Sequence, residues 1–454
     1  MPDDPTAQDT RARLLAALEA RQAELVDLCA QTVRIPSENP PGDTTDITRF
    51  VRGYLQDVGL HVREFAPRPE RPNLIAAIGP ADARPHLVLN SHLDTFPAGD
   101  GWEGSPFSGA VVDGRLYGRG ASDMRVGLAT SLFLARLVVD LELRLPGRLT
   151  FSYSSDEESG GIWGTRWLLE HVPELHGDGC LIGDQCGTWA IGIGEKGGCW
   201  LRLRTSGRSS HAAYGTRDSA TAWLVRALQV LQSLEDLPPA TPAALRPVVE
   251  RERALVSAEW GEQAPEILER ITVNVGTVRG GQSINLVADS AVAEVDVRLP
   301  PGITTEMVLA TLRQRFAAAG VPTPEIEVIA SFDPYFTPPE AAIVRATSAS
   351  SAAVRGEPSL PVLRLGATDA RFFRAAGIPT VVFGPKAHNM GGPNEYVTLD
   401  DLLTVARVHA GVIVDFLYGE PPDADAGDDL AGRVEIAYRV DLVGDAAPSV
   451  GGPP

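Results

Sequence analysis

Apolar and polar positions along this chain follow two alternating periods. Leu14, Leu18, Leu25 and Leu28 share one face at helical spacing, so the chain should open on an amphipathic helix. The prolines of IPSENPPGD, Ile35 to Asp43, break that pattern, and a second helix is expected through Arg49 to Val58. HLVLNS (His86 to Ser91), LTFSYSS (Leu149 to Ser155) and CLIG (Cys180 to Gly183) are short apolar runs of the kind that form buried strands. Helical spacing lies between them, over Gly127 to Val139 and Gly164 to His171. Strands alternating with helices predict an α/β domain with a central, mostly parallel sheet flanked by helices.

From about Lys196 the pattern changes. WLRLRTSG reads as a strand and Ala220 to Leu234 as a helix. ITVNVGTVRGG and VADSAVAEVDVRLP alternate like strands, and Thr304 to Ala319 is again helical. This β-α-β-β-α-β order predicts a small ferredoxin-like α+β domain inserted into the first. LPVLRLGATDARFF and IPTVVFGP then return to the α/β style. The expected organisation is 10–195 and 316–420 for the two parts of the α/β domain, 196–315 for the insertion, and 421–454 for an acidic linker and tail carrying one strand-like piece, VEIAYRVDLV.

The composition is that of an ordinary globular protein, with 44% hydrophobic residues over 454 positions. A formal charge of -19 gives no electrostatic footprint for nucleic acid or an anionic membrane. No apolar run is long enough to span a bilayer, and MPDDPTAQDTRARLL lacks the features of a secretory signal, so a cytoplasmic location is expected. Cys29, Cys180, Cys186 and Cys199 show no C-x-x-C spacing and read as free, buried thiols.

The chemistry collects where the strands end. His92 and Asp94 follow the first of the buried strands, Asp156, Glu157 and Glu158 the second, and Asp184 the third. Ligands of open α/β sheets bind outside the carboxyl ends of the strands. Asp123 joins them from a Gly-rich turn, GRGASDM, that opens a helix. Singly, each has an ordinary explanation: a satisfied buried histidine, a turn-forming aspartate, a solvated acidic pair. Together, an imidazole with several carboxylates at one rim suits a hydrolytic metal site, in which one further acid stays unligated to move protons.

The motifs IPSENPPGD, HLD, GWEGSPF, GRGASDM, DEESGG, GEKGG, GRSSHA, DVRLP, GATDAR and NEYV occur in that order between Ile35 and Leu417. In them the chain resembles the cocatalytic metal-dependent amidohydrolases typified by acetylornithine deacetylase, succinyl-diaminopimelate desuccinylase, aminoacylase-1 and carboxypeptidase G. The resemblance implies two divalent metal ions, zinc foremost, with cobalt or manganese as alternatives. His92, Asp123 and Asp184 would hold one. Asp123 would bridge to the second, completed by Glu158 and a C-terminal histidine. Asp94 would orient His92, and Glu157 would be the general base. His211, in GRSSHAAYG, would stabilise the oxyanion. Arg298, Asn285 and Arg371 would bind a substrate carboxylate or carbonyl, a strand-face salt bridge being the competing reading of Arg298.

The chain departs from the family pattern at three places. Gly391 stands where the last metal histidine is usual, and the nearby His388 is the candidate replacement. Arg125 stands where lysine is common, and Gln185 where proline is. The expected activity is hydrolysis of an amide bond in an N-acyl amino acid or short peptide with a free carboxylate, by a homodimer formed through the insertion, which would also act as a lid. Two alternatives stay open: a biosynthetic or amide-forming enzyme acting on a carrier-linked substrate, and a non-catalytic metal-binding scaffold of the same fold. A serine hydrolase is disfavoured by the absence of a G-x-S-x-G elbow.

Overall fold

A computed structural model describes residues 6–214 and 218–419; the strand-like VEIAYRVDLV lies outside them. The chain divides into two compact units. Among the described residues the first holds 6–195, 243–262 and 335–419, and the second holds 196–214, 218–242 and 263–334.

The first unit is built on an eight-stranded mixed sheet. Its order is Val62–Phe65, Asn73–Ile78, Arg148–Ser154, His86–His92, Gly179–Ile182, Thr380–Val382, Ala190–Glu195 and Leu360–Arg364. The strands from Arg148–Ser154 to Thr380–Val382 run parallel. The two strands at one edge pair antiparallel, and Ala190–Glu195 runs antiparallel to Thr380–Val382 while pairing parallel with Leu360–Arg364. The mostly parallel sheet expected from the pattern is therefore parallel at its centre and mixed towards its edges. His86–His92 is buried along its whole length, as a strand covered by helices on both faces must be. The apolar helix Val126–Asp140 is buried nearly all round, and Leu399–Leu417 packs against it.

Two local expectations are refined. The opening helix is in fact two, Ala7–Ala20 and Gln22–Val33, separated at Arg21, yet Leu14, Leu18, Leu25 and Leu28 are all buried. The helix expected from Arg49 begins at Thr45.

The second unit is a four-stranded antiparallel sheet in the order Thr272–Gly280, Ser290–Leu299, Gly197–Ser206, Glu325–Phe332. Ser290–Leu299 alternates buried and half-buried positions, the signature of a sheet covered on one face. That face packs Leu201, Leu203, Val295 and Val297 with Leu224 and Leu231 of Ala220–Gln232 and with Leu312 and Phe316 of Thr305–Ala319. The unit extends past position 315, because Glu325–Phe332 pairs with Gly197–Ser206. The stretch 243–262, inside the expected insertion, belongs to the first unit, where buried Glu252 accepts hydrogen bonds from the Leu363 amide on an edge strand.

Candidate metal centre

The parallel register brings three strand ends to one rim. His92 lies opposite Ser154 and Asn90 opposite Ile182, so Asp156 and Asp184 each follow a neighbouring strand by two residues. Asp123 arrives from the short turn Ala121–Arg125, which leads into Val126–Asp140. Two glycines let that helix approach: a side-chain carbon on Gly127 would lie 2.5 Å from the Gly183 carbonyl oxygen, next to Asp184.

His92 Nε2 is 3.0 Å from Asp123 Oδ1. Ligand atoms of His92, Asp123 and Asp184 all lie within 4.8 Å of one another, and they are the group among the described residues placed to share a cation. Glu158 lies outside that group, but its Oε1 is a buried acceptor without a hydrogen-bond partner. This oxygen-and-imidazole set, with an orphaned carboxylate oxygen beside it, suits a zinc-class cation.

The electrostatics agree. Burial alone would strip the His92 proton, but Asp123 and Asp94 outweigh it and hold its pKa well above the usual value. Burial and the Asp123 charge push Asp184 up to about 7, against the pull of Arg364. Burial, then Asp123, pushes Glu158 well above the carboxylate range. Burial raises Glu157 to about 8, opposed by Arg371. Carboxylates crowded in this way repel one another, and a divalent cation relieves that repulsion.

Asp94 is fully buried and does more than face His92. One of its oxygens lies 3.5 Å from His92 Nδ1. Its carboxylate accepts the amides of Glu157 at 3.1 Å and Glu158 at 3.0 Å, and Asn39 Nδ2 at 2.9 Å. It therefore ties the imidazole to the turn that carries both glutamates. Arg125, on the other side, donates to the Leu93 carbonyl and to Ser37 Oγ.

Arg371 donates to Glu157 Oε1 at 2.9 Å, and this pair is largely buried. The His388 ring stacks on Tyr396 with centroids 4.4 Å apart and lies outside the three-residue cation group. The second unit carries the other named residues. His211 is exposed, and its Nδ1 accepts the Ala213 amide. The Ala212 amide donates to the Asn285 carbonyl, so the loops carrying His211 and Asn285 lie side by side. Arg298 is half-buried and paired with Asp296 at 2.9 Å, the strand-face salt bridge weighed from the sequence.

Sequence reasoning passed over Asn39, Arg119, Arg364 and Glu395. Arg364 is buried, its charge facing Asp184, and donates to the Gln185 carbonyl at 2.6 Å. Asn39, Arg119 and Glu395 stand inside the quoted motifs IPSENPPGD, GRGASDM and NEYV, which could have flagged them.

An α/β sheet with imidazole and carboxylates converging beyond its central strand ends defines a hydrolase-type metal centre. Residues 88–415 match peptidase family M20/M25/M40, and the chain belongs to that family. It is 29% identical over 411 residues to a succinyl-diaminopimelate desuccinylase of Gluconacetobacter diazotrophicus, covering 88% of this chain and 99% of that one. An M20 family metallo-carboxypeptidase from Sulfolobus solfataricus shares the fold, with a TM-score of 0.70 at 21% identity, covering 87% of this chain and 99% of that one. So does a dinuclear metal binding peptidase of the M20 family from Bacillus subtilis, with a TM-score of 0.61 at 16% identity, covering 87% and 98%. Among the described residues no helix is long and apolar enough to cross a membrane, and all four cysteines are buried and free.

Proposed function

We propose that this protein is a zinc-dependent amidohydrolase that cleaves an N-acyl amino acid or short peptide bearing a free carboxylate. The observation that carries the reading is the largely buried set His92, Asp123 and Asp184 beside a protonatable Glu157. Membership of the family and the likeness to a desuccinylase support the reaction class.

His92, Asp123 and Asp184 would hold one cation, and Asp123 with Glu158 and His388 would hold a second. Ions held by these residues would supply Lewis acidity for the carbonyl and for water. Asp94 keeps His92 oriented and fixes the glutamate turn. Glu157 takes the proton of the attacking water and returns it to the leaving amine, a role that suits a carboxyl that burial raises to about 8. Arg371 holds the Glu157 carboxylate in place. Arg298 and Asn285 recognise the substrate's carboxylate or carbonyl, and His211 steadies the oxyanion. The second unit serves as lid and homodimer contact, and the protein works in the cytoplasm.

Amine release from N-acetyl, N-succinyl and dipeptide substrates tests this, with zinc- or cobalt-loaded protein beside a chelated control. Glu157→Ala should bind metal normally and lose roughly 10²- to 10⁴-fold in turnover. Undiminished turnover in that variant, or none from the loaded wild type on any substrate, would overturn the reading.

A further inference from the structure

We infer that Glu395 and Arg119 form a buried clamp that sets the position of Asp123, so that Glu395 is a positioning residue for cation binding; the inference rests on the metal site proposed above. Asp123 sits in a turn with two backbone hydrogen bonds of its own, from the Ala121 amide to the Gly118 carbonyl and from the Arg125 amide to the Gly120 carbonyl. Gly118 and Gly120 lead into it with positive φ, and Asp123 and Met124 depart from helical geometry within it. Groups outside the turn hold it as well.

The Glu395 carboxylate supplies that hold. One oxygen accepts the Ser122 amide at 3.0 Å and the Ser122 hydroxyl at 2.8 Å. The other accepts the Gly120 amide at 3.2 Å and Arg119 Nη1 at 2.6 Å. Both side chains are 1% exposed. The remaining Arg119 donors reach the Pro97 carbonyl at 3.2 Å, the Ala98 carbonyl at 3.0 Å and the Gly391 carbonyl at 3.1 Å. The guanidinium also lies over the Trp102 ring. Through this fork the turn presenting Asp123 is locked to the run that follows Asp94 and to the loop that carries His388.

A purely structural ion pair is the competing explanation. A buried pair is weak evidence for stability, since well-packed apolar residues often serve as well. An apolar pair could not accept the Ser122 and Gly120 amides, which is what aims Asp123. The two explanations therefore differ in what happens to metal affinity in a protein that is still folded.

The test titrates chelator-stripped full-length protein with Zn2+ by calorimetry and with Co2+ by visible absorption. The variants are Glu395→Gln, which keeps shape but turns an amide NH2 towards donors, and Ser122→Ala, a smaller change that keeps the fold safe. Hydrogen exchange of the peptide spanning 118–125 is followed in the metal-free protein. Glu395→Gln should bind roughly 10- to 100-fold more weakly, with an altered cobalt spectrum and faster exchange in that peptide only. Ser122→Ala should show a smaller loss in the same direction, and Glu395→Asp should restore part of it. Wild-type affinity, spectrum and exchange in both Glu395→Gln and Ser122→Ala would overturn the clamp. A wild type that binds no metal would instead overturn the metal-site reading, and exchange in the 118–125 peptide would then decide the clamp alone.

Discussion

Replacing Asp94 by alanine should damage both the fold and the metal site, by an amount the hydrogen bonds set. The Asp94 carboxylate accepts the Glu157 amide at 3.1 Å, the Glu158 amide at 3.0 Å and Asn39 Nδ2 at 2.9 Å. A buried donor left without an acceptor costs about 1–3 kcal/mol. Asn39 keeps a second acceptor in Ser159 Oγ, so the loss falls mainly on the two amides. Removing a negative charge beside Asp156 and Glu158 returns part of that cost. The net destabilisation should be about 2 kcal/mol, from roughly 1 kcal/mol per amide. His92 Nδ1 keeps the Asp94 backbone carbonyl at 3.0 Å but loses the carboxylate oxygen at 3.5 Å, which should weaken zinc binding about 10-fold. Denaturant unfolding of the metal-free protein measures the first quantity, and zinc calorimetry the second. Burial opposes the Asp94 charge, but His92 and Asn39 outweigh it and hold its pKa below the ordinary 3.8. Its contribution is thus complete at neutral pH and lost as pH falls through that lowered value, where variant and wild type should converge. A variant within about 0.5 kcal/mol of wild type, the size of an ordinary surface substitution, and binding zinc equally well, would refute the reasoning.

In metal-free protein, Glu157 at about 8 and Asp184 at about 7 bind protons that the unfolded chain has released by then, and His92 is raised in the same sense. Thermal melts should therefore show stability falling as pH rises from about 5 to 8, with added zinc flattening the slope; a metal-free profile flat over that range would count against the carboxylate cluster. Arg371→Met removes the cation opposing Glu157 protonation, so kcat/KM should fall at pH 7 and its acid limb move upward. A rise in KM alone, with the limb unmoved, would assign Arg371 to the substrate carboxylate instead. Gly127→Ala sets a carbon against the Gly183 carbonyl and should cost about 1–3 kcal/mol with weaker metal binding; wild-type melting would show that the helix can shift freely.

The centre of the site was legible because its logic is local. A buried strand ending in His92, a turn of acids after Ser154 and an acid after Ile182 each declare themselves within a few residues, and parallel register does the rest. What escaped was set by distance. Arg119 and Glu395 are 276 positions apart and meet because Tyr396 pairs with Tyr117, in strands of three residues too short to show a period. The reach of the second unit to Pro334 was hidden in the same way: Glu325–Phe332 shows half-buried positions with no alternation, and only its pairing with Gly197–Ser206 assigns it. The helix Arg246–Trp260 carries Glu252, whose use as an acceptor for the Leu363 amide depends on a strand more than a hundred positions away. The loop from His388 to Glu395 joins both kinds of information. Its departure from the family pattern at Gly391 was plain in the sequence, yet the Gly391 carbonyl is gripped by the same guanidinium that holds Glu395. Gly391 has φ +73 with open space around it, so a histidine there would meet backbone strain and not a clash. The loop is anchored where the usual ligand would start, and its nearest imidazole rests three residues away on Tyr396. His388 thus rests on Tyr396 outside the three-residue cation group, while the Arg119 grip keeps the loop's far end in place.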